Sequence, residues 1–139
     1  MSQLGYLLDT NVLSETRKLR ADPRAMSFVA AADTGALFVS VLTLGELRKG
    51  VEAKRRSDPE AALRIGAWVD GIEATFADRL LPVSIEIANR WGQISADRSR
   101  PVIDTLIAAT AIVHGLTLAT RNTIDFEGIG LSLVNPWNV

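Results

Sequence analysis

Five short apolar runs alternate with longer stretches whose apolar residues recur at helical spacing, and few architectures accept that alternation. The runs are Tyr6–Leu8, Leu37–Val39, Leu81–Val83, Leu116–Ala119 and Leu131–Val134. Strands separated by whole helices cannot be joined by tight hairpins, so they pair in parallel and are buried on both faces. The intervening helices are predicted at Asn11–Leu19 and Met26–Ala32, with a break near Asp22-Pro23, and at Val41–Arg56 after Ser40. Pro59–Phe76 follows Asp58, Ile85–Ala96 follows Ser84, and Val102–His114 ends at Gly115. Ser and Asp are favoured N-caps, proline suits a first turn, and glycine commonly closes a helix. The expected class is helix-heavy α/β, a parallel sheet covered by helices on both faces.

Four acidic residues stand beside these apolar segments: Asp9, Glu46, Asp104 and Asp125. Local sequence gives them no reason to meet. In an open α/β sheet, however, strand ends and the adjoining helix starts converge on one edge. Carboxylates gathered there repel one another, and burial disfavours their charged form, unless a cation holds them ionised. An all-oxygen set suits a hard ion such as Mg²⁺ or Mn²⁺. The absence of cysteine excludes a disulfide framework and a zinc-thiolate site.

Charge and hydropathy bound the remaining classes. Net charge is −1, from 15 basic and 16 acidic residues, so no global polycation announces nucleic acid. Sequestering four acids leaves 15 basic against 12 acidic groups elsewhere. The cations are bunched at Arg17, Lys18, Arg20 and Arg24, at Arg48, Lys49, Lys54, Arg55 and Arg56, and at Arg98 and Arg100. A basic rim around an acidic pocket would hold a phosphate backbone, although charge runs of this kind are commonly just solvated helix faces. The opening MSQLGYLLDTN lacks a basic segment followed by a long apolar one, and Val102–Val113 is too short to span a bilayer. A cytoplasmic protein without membrane attachment is expected.

Each acid has a purely structural reading beside the chemical one. Asp9 follows Tyr6-Leu7-Leu8 at the end of the first strand, where it serves equally as a metal ligand or as a helix N-cap. Thr10 and Asn11 would orient it or bind phosphate. Thr43-x-x-Glu46 fits a capping box, but only if the helix starts at Thr43. If it starts after Ser40, Glu46 lies one and a half turns in and needs another partner, and Gly45 beside it marks a close approach. Asp104 sits in PVIDTLIAATAIV, a helix apolar on nearly every side and therefore expected to be buried all round. A buried charge costs several kcal/mol unless paired or coordinated, which favours a ligand over a dipole partner. Asp125, in TRNTIDFEG, belongs to a loop where Asp and Asn are the default, with Glu127 a nearby substitute and Thr120 and Asn122 as polar neighbours. His114 suits a helix C-terminus, and Trp68, Trp91 and Trp137 suit a core or an interface. No phosphate-binding glycine loop is present.

Taken in order, YLLDTNVLSE, SVLTLGELRKG, PVIDTLIAATAIVHGLTLATRNTIDFEGIG and the closing LVNPW resemble the motifs of the PIN-domain family, and more narrowly of VapC-type toxins from bacterial toxin–antitoxin pairs. Ile124, where a polar or basic residue is common, and Glu127 depart from the pattern. The resemblance implies a single PIN domain over residues 1–139, a three-layer α/β/α fold with a central parallel sheet of four to five strands. It implies a metal-dependent endoribonuclease that hydrolyses RNA with a metal-activated water. Asp9, Glu46, Asp104 and Asp125 fill the catalytic and Mg²⁺- or Mn²⁺-binding positions, and Thr10, Asn11, Thr120 and Asn122 orient ligands or contact phosphate. The implied partners are RNA, a small cognate antitoxin reaching the acidic pocket, and a second copy in a homodimer that joins larger complexes with antitoxin. A catalytically silent PIN domain acting only as a binding partner is the alternative. A receiver-type signalling module would need paired acids after the first strand and a late lysine, where DTN and TRN stand instead.

Overall fold

The computed structural model describes residues 5–139. The strands are β1 (Tyr6–Leu8), β2 (Leu37–Ser40), β3 (Leu80–Leu81), β4 (Thr117–Ala119) and β5 (Leu133–Val134). The helices are α1 (Thr10–Thr16), α2 (Pro23–Ala31), α3 (Val41–Ser57), α4 (Pro59–Thr75), α5 (Ile85–Ser95) and α6 (Val102–His114). All the strands pair in parallel, in the order β3-β2-β1-β4-β5. The expected helix-covered parallel sheet is therefore present, with five strands.

Alternation along each strand sends successive side chains to opposite faces and so builds two cores. Leu8, Leu37, Val39 and Ala119 face one layer with Val12, Leu13, Leu47, Val51 and Val69 from α1, α3 and α4. Leu7 and Leu118 face the other with Ile107, Ala108 and Ala111 of α6. The two clusters lie on either side of one sheet, and α5 packs against α6.

Helix starts follow their capping residues closely. Asp9, Asp22, Ser40, Asp58 and Ser84 each accept a backbone N–H of the first turn. Gly115 closes α6 at φ 65°, a left-handed position that glycine takes without steric cost. Several predicted limits shift. The first helix begins at Thr10 and ends at Thr16, leaving Leu19 fully exposed, because Arg17 already returns its N–H to Ser14 and Glu15. The second starts earlier, at Pro23, because Asp22 caps it. The third strand is Leu80–Leu81 rather than Leu81–Val83: Pro82, with no N–H to donate, follows it directly. The fourth and fifth strands are shorter than their apolar runs.

Chain order sets the location of any site. From β1 the chain moves outward to β2 and β3, and β4 then returns to the other side of β1. The boundary between β1 and β4 is thus a topological switch point, where an open parallel sheet leaves a crevice at its carboxyl edge. Asp9 and Thr120 are the residues that follow β1 and β4 there.

Candidate active site

Asp9 is only 6% exposed and sits where sheet and helix meet. Its N–H donates to Ala119 O at 3.0 Å, extending the ladder by one residue. Its Oδ1 accepts the Thr10 N–H at 2.8 Å. Its Oδ2 accepts the hydroxyl of Thr120 at 2.8 Å and the amide of Asn11 at 3.4 Å. The capping and site readings of Asp9 therefore coexist, one on each carboxylate oxygen.

Thr120, fully buried, is the hub of the far wall. Its hydroxyl donates to Asp9 and accepts from Asn11 Nδ2 at 3.3 Å and from the Asn122 N–H at 3.1 Å. Asn11 reaches back with Oδ1 to the Arg121 N–H at 3.2 Å. The bonds from Thr120 to Asp9 and Asn11 and from Asn11 to Arg121 each span more than 100 residues of sequence, and together they fix the orientation of Asp9. Sequence reasoning placed Thr10, Asn11, Thr120 and Asn122 nearby without defining their bonds. It missed Arg121, whose guanidinium lies over the Trp137 ring at 5.0 Å and pins this loop against the C-terminal turn. Nothing local in TRN or NPW signals that stacking.

Glu46 resolves between its two readings. Ser40 is the N-cap of α3, so a capping box from Thr43 is excluded. The partner is Thr10, whose hydroxyl donates to Glu46 Oε1 at 2.6 Å. Gly45 corrects an expectation: a Cβ built there meets nothing within 4 Å, so no close backbone approach requires glycine.

Asp104 lies in the first turn of α6, a helix with no side-chain cap. Its helix is not buried all round. Val102 and Ile103 are exposed and Asp104 itself is half-buried, because the first turn projects past the sheet edge while the turns from Ile107 onward pack inside. Burial raises the Asp104 carboxyl above the usual carboxylate range, and repulsion from Asp9, Glu46 and Asp125 raises it further. Asp125 lies on an exposed 3-10 turn, Thr123–Phe126, anchored by buried Phe126. It is Asp125, and not Glu127, whose charge bears on Asp104. Burial likewise raises Asp9. Hydrogen bonds from Thr120, Thr10 and Asn11 pull in the opposite direction, and Glu46 adds to the rise.

Asp104 therefore stands within reach of the charges of Asp9, Glu46 and Asp125, and Asp9 within reach of that of Glu46. The donors are carboxylate oxygens with hydroxyl and amide neighbours, a set suited to a hard divalent cation. Among the described residues, no three His, Cys, Asp or Glu side chains stand at the spacing of a closed metal shell, and Glu46 is turned onto Thr10. The donor chemistry fits the ion; the shell itself would have to be drawn together by it.

A pH dependence follows from these shifts. Raised carboxyls keep protons in the folded state that the unfolded chain has already released. Their contribution to stability is intact below the ordinary carboxylate pKa and declines as pH rises through the raised values. In EDTA, the melting temperature of wild-type protein minus that of an Asp9→Asn, Asp104→Asn double variant should be near zero at low pH and turn negative towards neutrality. Millimolar Mg²⁺ should shrink the deficit. A difference that stays flat with pH would contradict these shifts.

Comparison with known proteins agrees with this fold. The family pattern described as PIN domain matches residues 6–130. A protein named VapC ribonuclease Y4jK from Sinorhizobium fredii is 35% identical over 140 residues, covering 94% of this chain and 96% of that one. The crystal structure of FitAcB from Neisseria gonorrhoeae superposes with a TM-score of 0.79 at 31% identity, covering 96% of this chain and 99% of that one. A toxin–antitoxin complex from Klebsiella pneumoniae superposes with a TM-score of 0.69 at 27% identity, covering 97% of this chain and all of that one. Among the described residues, no helix is long and apolar enough to cross a membrane. The family pattern matched over residues 6–130 and the near full-length likeness to the Sinorhizobium protein make this chain a member of the PIN-domain family, of the VapC type.

Proposed function

We propose that the chain is a metal-dependent endoribonuclease, the toxin of a toxin–antitoxin pair. The observation that carries the reading is the gathering of acids at the switch point: buried Asp9, held by Thr120 and facing Glu46, lies with Glu46 and Asp125 close enough to repel half-buried Asp104. These four residues would hold one or two Mg²⁺ or Mn²⁺ ions. The ion would supply Lewis-acid charge to a phosphodiester and acidify an attacking water. The chain's own residues provide the orientation. Thr120 and Asn11 fix the Asp9 carboxylate, Thr10 fixes Glu46, and the exposed side chain of Asn122 would be the one to contact phosphate.

The name of the Sinorhizobium relative supports ribonuclease activity, and the fold of the Klebsiella complex supports an antitoxin partner. A cleft of about 680 Å³ beside Glu46, walled by Val41, Leu42 and Ile103, offers an apolar seat for a segment of that partner. A homodimer assembling with antitoxin is part of the same reading.

The test is incubation of total cellular RNA with antitoxin-free protein in Mg²⁺, in Mn²⁺ and in EDTA. Discrete fragments with either metal and none in EDTA are the expected result. Intact RNA in every lane, from folded protein shown calorimetrically to bind Mn²⁺, would replace the nuclease reading with the catalytically silent one.

A further inference from the structure

We propose that a basic cleft at the far end of α1, outside the acidic pocket, is a subsite for the backbone and one unpaired base of single-stranded RNA. The inference rests on the ribonuclease reading for its substrate class. The cleft encloses about 640 Å³ between the end of α1 and the α3–α4 hairpin, and Arg17, Lys54, Arg64 and Trp68 line it. Arg17 caps the end of α1 and the others lie on α3 and α4, scattered over about 50 positions, so no stretch of sequence displays them together.

Arg20, Arg24, Lys49, Arg56, Arg90, Arg98 and Arg121 form no salt bridge among the described residues, but none of them lines this cleft, whereas several other cations are paired with neighbours. Lys18 pairs with Glu15, Arg48 with Asp70 and Glu73, Arg55 with Glu52, and Arg100 with Asp97. Among the described residues, Arg17, Lys54 and Arg64 form no salt bridge. The one acid lining the cleft, Asp58, is engaged as the α4 cap, accepting the Ala61 N–H at 3.1 Å. Three unpaired positive groups around one hollow favour an anionic ligand.

The fourth residue narrows the class. Trp68 is half-buried, and Arg17 lies over its ring at 5.9 Å from the centroid. A guanidinium and an indole at the mouth of a cationic cleft form a stacking platform for a base, the pairing by which single strands are held without sequence readout. An acidic protein segment would use the charges but not the ring.

Distance ties the cleft to the chemistry. Six residues of helix separate Thr10 from Thr16 and eight separate Glu46 from Lys54, which places the cleft roughly 9–12 Å from the acidic pocket. A stacked single strand rising about 3.4 Å per nucleotide covers that in about three nucleotides. RNA lying across the carboxylates would thus be gripped a few nucleotides from the scissile bond.

The experiment measures binding apart from cleavage. An Asp104→Asn protein in EDTA is titrated into labelled oligouridylate of about 12 nucleotides at several KCl concentrations. Adding Arg17→Ala, Lys54→Ala and Arg64→Ala should weaken binding about tenfold or more and reduce the log–log salt slope by about two. Indole quenching by the oligonucleotide should disappear in Trp68→Phe, which keeps a ring in the packing. An unchanged affinity and slope in the triple variant, or quenching that survives Trp68→Phe, overturns the proposal. So does poly-glutamate binding as tightly as RNA without quenching, which would assign the cleft to an acidic protein. If wild-type protein fails to cleave RNA while cleft-dependent binding persists, the nuclease reading falls and the cleft stands. If it cleaves and the triple variant binds like its parent, the cleft falls alone.

Discussion

Asp104→Asn is expected to silence RNA cleavage, by at least about 10²-fold, the loss seen when a single charge-stabilising group is removed from an active site. It should at the same time raise the melting temperature of metal-free protein. Both effects come from one fact: Asp104 is desolvated and faces three other carboxylates. The neutral amide fits the same space at the start of α6 and removes one charge from the repulsive set. The side chain accepts no capping bond, so the substitution leaves no first-turn N–H newly orphaned. Opposite signs for stability and activity mark a group placed for function, since local strain is tolerated at such sites and offset elsewhere. Cleavage assays and thermal melts on one preparation would check it. Full activity, or a melting temperature lowered in EDTA, would sink the assignment of Asp104.

Ile107→Ala should be the most destabilising single substitution in the helix that carries Asp104, costing about 2–5 kcal/mol. Ile107 is fully buried beneath the sheet among Leu7, Leu118 and Phe126. Truncation leaves a cavity between fully buried neighbours, Ala108 and Ala111 among them, whose small side chains cannot swing in to fill it. In a domain of this size the melting temperature should fall by about 7–17 °C. Ile107→Val, which deletes one methylene, should cost only about 0.5–1.5 kcal/mol. Denaturant titrations of the two variants would decide. Equal, small losses would mean that this face of the sheet is loosely packed.

Much of the architecture was legible because its signals are local. Ser40, Asp58 and Ser84 announce their helices, Gly115 ends one, and the buried runs are recognisable strands. Limits failed where the deciding contact was a cap or a turn, as at Asp22 and after Thr16. The acids were legible as charges embedded in apolar surroundings, and motif order named the family. Their bonds were not. The Thr10–Glu46 and Asp9–Thr120 pairs join residues 36 and 111 positions apart, and only the assembled sheet brings them within reach. The same limit hid the Arg121–Trp137 stack and the union of Arg17, Lys54, Arg64 and Trp68 into one cleft.

The position of Thr120 has a consequence during synthesis. Asp9 leaves the ribosome 111 residues before the hydroxyl that orients it. At about 5–20 residues per second, that interval is roughly 6–20 s. Throughout it β1 lacks β4, its neighbour on the switch-point side, and the carboxylates of Asp9 and Glu46 stand without the far wall. Until β4 is made, the nascent chain therefore lacks the bond that orients Asp9. The far wall of the site forms only once the chain has been made past Thr120. The order of strands in the sheet thus acts as a timer for assembly of the site.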